Sequence, residues 1–125
     1  MPPDAAPPDR RTRLAHAGED LACDLLRAHG LTIVERNWRC RDGEIDIVAR
    51  AGELLIVCEV KTRRGDGYGS AAGAVTATKQ RRLRRLAAAY LVTAGGPPGR
   101  VRFDVVAITW PRGRRPGVEY LPGAF

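Results

Sequence analysis

Apolar residues recur at helical spacing from Arg10 to Gly30. Leu14, Gly18, Leu21 and Leu25 fall on one stripe, widened by Ala15, Ala22 and Leu26. Gly30 supplies the left-handed residue that commonly closes a helix. From Leu31 to Arg39 the pattern becomes that of a strand, with Ile33 and Val34 apolar and Trp38 towards its end. Arg41-Asp42-Gly43 reads as a turn. Glu44 to Arg50 predicts a second strand and Leu54 to Thr62 a third, joined by a tight turn at Ala51-Gly52. The third is apolar on both faces until its end, as a central strand covered by helices on both sides should be. A second helix is predicted over Val75 to Val92, with Val75, Lys79, Leu83, Leu86 and Tyr90 along one face. Val101 to Thr109 is a fourth strand and Val118 to Leu121 a candidate fifth.

The order is αβββαβ. A helical crossover between the third and fourth strands makes that pair parallel, so the fold class is α/β, with a mixed central sheet flanked by helices. At 125 residues the chain has room for one domain with one core. Met1 to Asp9 contains four prolines and little to bury, so residues 1–10 are expected to be a disordered tail and residues 11–125 the single domain. Gly65-Asp66-Gly67-Tyr68-Gly69 lacks the Gly-Lys-Ser/Thr of a phosphate-binding loop and is expected to be a mobile loop beside the site.

Charge changes this picture. Twenty-one Lys and Arg against 14 Asp and Glu give a formal net charge of +7, which points to an anionic partner, most often nucleic acid. The three cysteines, Cys23, Cys40 and Cys58, form no CxxC pair, and neither His16 nor His29 completes a zinc spacing with them. They read as small buried hydrophobes, and an odd count without a signal peptide fits a reducing, cytoplasmic location. No apolar run approaches the roughly 20 residues needed to span a bilayer, so no membrane partner is expected. Ser70 is the only serine, which argues against a Ser-His-Asp hydrolase.

The candidate chemistry lies in the acids. Glu59 and Lys61 share a face of the third strand, as Glu44 and Asp46 do of the second. If the turn pairs Arg50 with Glu53, Glu44 falls opposite Glu59, with Asp46 one diagonal away. Carboxylates so placed repel one another. Lys61 neutralises one of them, and a hard divalent cation would do the rest, because Mg²⁺ takes oxygen ligands from one or two carboxylates plus water and phosphate. The alternative is an i, i+2 ion pair on a solvated strand face, with Glu44 and Asp46 as surface acids near a turn. Glu19 lies on the margin of the first helix's buried stripe, where Gly18 would let the helix approach the sheet; by itself it reads as a solvated acid. On the second helix, Lys79 and Gln80 lean towards the apolar face, while Arg81, Arg82, Arg84 and Arg85 fan over the exposed side. Without acidic i, i+4 partners this cluster repels itself, which favours a phosphate-contacting surface over a merely solvated face.

Glu19, Asn37-Trp38-Arg39, Gly43-Glu44-Ile45-Asp46, Glu59-Val60-Lys61-Thr62-Arg63, Lys79 and Arg102-Phe103-Asp104 together resemble the bacterial YraN-like family. That family is placed in the restriction-endonuclease-like PD-(D/E)XK superfamily, near the archaeal Holliday-junction resolvases, and the likeness runs from about Arg11 to Ile108. The resemblance implies a restriction-endonuclease-like core in which Asp46 and Glu59 hold Mg²⁺ or Mn²⁺, Lys61 assists the attacking water and Glu19 completes the metal site from the helix. It puts Lys79 or Gln80 where related nucleases contact substrate. Arg63 and the second helix's Arg81, Arg82 and Arg85 are expected to contact nucleic acid as well. Asp104 is expected to be structural, pairing with Arg102 or supporting the sheet edge. Ile45 stands where the literal motif has proline, so the match is to the superfamily's looser pattern. Related resolvases act as dimers, so a homodimer is compatible with the resemblance. The expected function is a Mg²⁺-dependent endonuclease acting on branched or otherwise structured DNA. Its alternatives are a nucleic-acid-binding module that keeps the fold without turnover, and a structural protein whose acids are only salt-bridged.

Overall fold

The computed structural model describes residues 7–65, 73, 75–94 and 99–125. The elements are α1 (Arg10–Ala28), β1 (Thr32–Cys40), β2 (Gly43–Ala51), β3 (Leu54–Arg63), α2 (Ala77–Ala94), β4 (Val101–Thr109) and β5 (Gly117–Leu121). The expected αβββαβ order is present with β5 added. Most of the expected tail, residues 1–6, and most of the glycine-rich loop, residues 66–72, lie outside the described residues. Asp9 caps α1, its carboxylate accepting the Thr12 N–H at 2.8 Å, and satisfies one of the donors a helix start leaves open. Gly30, at φ +82°, follows the other end.

The five strands run in the order β1-β2-β3-β4-β5. β1, β2 and β3 form an antiparallel meander, β3 and β4 are parallel, and β5 returns antiparallel to β4. One apolar cluster fills each side of the sheet. On the α1 side, Ala22, Cys23 and Leu26 pack on Ile47, Cys58, Val106 and Ile108. On the α2 side, Leu83, Leu86, Ala87 and Tyr90 pack on Ile45, Val48, Val57, Phe103 and Val105. Val57 and Cys58 thus go to opposite clusters, as the two-faced apolar run of β3 demands. All three cysteines are free thiols, with Cys23 and Cys58 buried. None of the described helices is long and apolar enough to cross a membrane.

Two local features set the geometry of the site. Gly18 is where α1 meets β3. A Cβ built on it would lie 1.9 Å from Thr62 Oγ1, so only glycine permits this approach. The β2–β3 turn differs from the expected one. Ala51 pairs with Leu54 and Arg50 with Leu55, leaving Gly52-Glu53 as the two-residue loop with Gly52 at φ +59°, the conformation glycine supplies at the first central position of a hairpin turn. The register therefore moves by two residues. Continued past Ile47–Cys58, it puts Asp46, not Glu44, level with Glu59. A shift of two preserves the faces, which is why the pattern of apolar residues could not reveal it.

Candidate metal and nucleic-acid site

β2 and β3 keep regular pairing as far as Ile47 and Cys58. One residue further on, Asp46 Oδ2 accepts the Val60 N–H at 2.9 Å. A half-buried N–H needs an acceptor, and here a side chain takes the place of the neighbouring strand. The opposite neighbour of β2 is irregular at the same level. Asn37 of β1 is the one described non-glycine residue with positive φ, at 52°, a conformation asparagine tolerates better than most residues. Strict alternation would put Arg36 and Trp38 on one face. Instead Arg36 reaches Asp20 of α1 at 2.8 Å, while Trp38 packs edge-on against Tyr90 of α2 at 5.3 Å. Ile45 and Ile47 likewise join different clusters. The sheet turns over at Asn37 and Asp46.

The result is a cleft of about 220 Å³ lined by Gly43, Glu44, Asp46, Glu59, Lys79, Arg82 and Leu83. Asp46 and Glu59 face each other across the β2–β3 ladder within it, each bearing on the other's ionisation. Burial, followed by the charge of Glu59, pushes the Asp46 carboxyl up to about 8; the Val60 N–H opposes this, and Glu19 and Glu44 add smaller upward pushes. Glu59 is also raised by burial, against the opposing charges of Lys79, Arg82 and Lys61 and the hydrogen bond from Asp46. Two carboxyl groups so close cannot both ionise in a poorly hydrated cleft, and they hold a proton between them at neutral pH.

The remaining candidates occupy distinct places. Lys61 is exposed at the far end of β3 and acts on Glu59 through its charge. Glu19 is 8% exposed, and its Oε1 has no hydrogen-bond partner among the described residues; the Arg36 guanidinium lies 3.8 Å away. The expected three-acid set is assembled only as a pair. Among the described residues no three His, Cys, Asp or Glu side chains come together as a metal-holding group, and Glu19 contributes a field at Asp46. Glu44 pairs with Arg39 at 3.3 Å. Two carboxylates suit a magnesium ion that keeps water ligands, and a buried pair sharing a proton is the donor chemistry that a hard cation would displace. On that ground the residues fit a divalent ion.

The basic helix divides its labour in a way its spacing did not show. Arg82 is exposed as expected and also lines the cleft with Lys79. Arg84 lies over the rings of Phe103 and Phe125, at 5.0 and 5.5 Å from their centroids, a cation–π arrangement that holds the C-terminus against the sheet. Gln80 turns back to donate to the Val75 carbonyl at 3.4 Å, and Arg81 donates to Thr78 at 3.3 Å. Arg81 and Arg85 are exposed, and Arg63 is half-buried at the end of β3. Asp104 is structural, as expected. It is fully buried and accepts two bonds from Arg102 at 2.8 and 2.9 Å, one from Tyr120 at 2.6 Å and one from the Gly123 N–H at 2.9 Å.

The features the sequence reading missed are Asn37 as the point of inversion and Arg82 as a lining residue. Asparagine in mid-strand, a poor strand former, was the available signal for the first.

Comparison with known proteins gives a consistent answer. Residues 18–108 match the model of "Uncharacterised protein family UPF0102". A UPF0102 protein of Parafrankia sp. (strain EAN1pec) is 51% identical over 113 residues, covering 90% of this chain and 96% of that relative. One from Rhodococcus jostii (strain RHA1) is 54% identical over 108 residues, 86% of this chain and 92% of that relative. One from Nocardia farcinica (strain IFM 10152) is 48% identical over 117 residues, 94% and 91% respectively. The matched segment runs from the glycine that seats α1 on β3 to the end of the buried part of β4, and it includes every acid of the cleft, so the chain belongs to the UPF0102 family.

Proposed function

We propose that the chain is a Mg²⁺- or Mn²⁺-dependent endonuclease of the restriction-endonuclease-like kind, acting on branched or otherwise structured DNA. The observation that carries this reading is the Asp46–Glu59 pair: two acids 13 residues apart in the chain line one cleft together with Lys79 and Arg82, close enough that the charge of Glu59 acts on Asp46. A divalent ion bound there would polarise a phosphodiester and lower the pKa of a water. Asp46 and Glu59 would hold it, and Glu19, whose charge already reaches Asp46, is the acid assigned to join them from α1. Lys61 orients the water or stabilises charge developing on phosphate. Lys79 and Arg82 draw the phosphate towards the acids, while Gln80, Arg81, Arg85 and Arg63 contact the flanking backbone. Cutting two strands symmetrically would call for a homodimer.

The test is incubation of the full chain with junction, flap and duplex DNA in Mg²⁺ or Mn²⁺. Cleavage of the structured substrates is expected, abolished by Asp46→Asn and by Glu59→Gln. Cleavage that survives both substitutions would sink the proposal, as would its absence in both metals. A second reading, a DNA-binding module without turnover, is favoured because no three His, Cys, Asp or Glu side chains among the described residues are grouped so as to hold a metal. It predicts salt-sensitive binding without cleavage, with a shallower salt dependence after Arg81→Ala or Arg85→Ala.

A further inference from the structure

A separate surface carries a different pattern of charge. A groove of about 640 Å³ is lined by Arg10, Arg11 and Arg13 at the start of α1, Arg64 just past β3, and Trp110 and Arg112 just past β4. Arg10, Arg11 and Arg13 of α1 line the groove, so it lies on the α1 side, whereas the acid pair opens towards Lys79, Arg82 and Leu83 of α2. All five arginines are exposed and Trp110 is half-buried. Among the described residues none of the five lies within ion-pair distance of a carboxylate. Asp9, at the N-cap, feels the charge of Arg11 and is committed to capping the helix.

Three of the five cations occupy the first turn of α1, which has no acidic residue. That is the positive end of the helix dipole, where basic residues are disfavoured. The arrangement is unfavourable in isolation and becomes favourable when an anion fills the groove. Trp110 tells which kind of anion. Its backbone is fixed on both sides, its N–H donating to the Arg63 carbonyl at 2.8 Å and its carbonyl accepting from Arg64 at 3.3 Å. The side chain packs on the α1 cluster and still lines the groove. A rigid aromatic among guanidinium groups matches a chain of phosphates with accessible base faces, a combination that single strands offer and duplexes hide.

We infer that this groove binds single-stranded nucleic acid, with a base stacked on Trp110 and phosphates held by Arg10, Arg11, Arg13, Arg64 and Arg112. Arg64 is five residues beyond Glu59 on one strand path, about 16 Å at strand rise, so a strand held here would reach round the end of the sheet towards the acid pair. The groove itself stands independently of any hydrolysis there.

The experiment uses the full chain in EDTA, which silences metal-dependent cleavage, with labelled dT15, rU15 and a 15-base-pair duplex followed by anisotropy. Both single strands should bind more tightly than the duplex, and any preference between them identifies the sugar. In a Trp38→Phe background the remaining tryptophan fluorescence, that of Trp110, should be quenched by dT15. Trp110→Ala should weaken dT15 binding by roughly tenfold or more and Trp110→Phe should restore most of it. Arg13→Gln and Arg112→Gln, both at exposed positions, should each make the log–log salt slope shallower by about 0.7. The inference is overturned if Trp110 fluorescence is unchanged while dT15 binds. It is equally overturned if the duplex quenches Trp110 as strongly as the single strands do, or if the two arginine substitutions leave the slope untouched.

Discussion

Replacing Asp46 by asparagine should make the folded protein more stable at alkaline pH, even as it removes the proposed metal site. The folded-state carboxyl is pushed up to about 8 from an ordinary value of 3.8, by burial and by Glu59. Between those values the folded chain holds a proton that the unfolded chain has released. Stability therefore falls as pH rises, beginning above 3.8 and levelling off above about 8. The slope approaches about 1.4 kcal/mol per pH unit in the middle of that window, and the raised Glu59 adds to it with the same sign. For a chain of this size 1 kcal/mol moves Tm by roughly 3–6 °C. Asparagine carries no charge, and its carbonyl oxygen can still accept the Val60 N–H. Thermal unfolding by circular dichroism, in metal-free buffers from pH 5 to pH 9, should show a falling Tm in the wild type and a flatter profile in Asp46→Asn. The variant's lead should grow by on the order of 3–4 kcal/mol between pH 5 and pH 8. Because both proteins keep the same histidines and the same excess of arginine, their difference isolates the pair. Mn²⁺ should stabilise the wild type at pH 8 far more than at pH 5, since it takes the place of the proton. Parallel profiles for the two proteins across this range would refute the shared-proton account.

Other consequences are as direct. Gly18→Ala should gain about 1 kcal/mol from helix propensity yet lose about 1–3 kcal/mol to overpacking against Thr62; urea denaturation should find net destabilisation, much reduced in a Thr62→Ala background. Asp104→Ala should cost about 3–5 kcal/mol by stranding Arg102 and the Gly123 N–H, and Tyr120→Phe about 1–3 kcal/mol; equal losses by the same measurement would contradict the network. Lys79→Ala removes the largest charge opposing the upward shift of Glu59, so carboxyl NMR titration should show Glu59 moving higher still. A fall would show that Lys79 does not face it.

Periodicity alone determined the elements. The αβββαβ order, the parallel β3–β4 pair and the two-sided burial of β3 all follow from where apolar residues recur at spacings of 3.6 and 2, because burial of one stripe or face is what those spacings encode. Gly18 and Asp104 were also legible, the first because a glycine beside an apolar stripe signals close approach, the second because Arg102 lies two residues away on the same face. What the pattern could not decide was the level at which β2 meets β3. A slip of two residues leaves every side chain on its own face, so the choice between Glu44 and Asp46 as the neighbour of Glu59 fell to the Gly52-Glu53 turn. Nor could it place Arg82 over the acids or turn β1 and β2 over at Asn37 and Asp46, since alternation assumes the regular ladder that those residues break. The groove between α1 and the ends of β3 and β4 draws on three segments distant in sequence. Its charge was countable from the chain; its convergence exists only once the sheet brings those segments together.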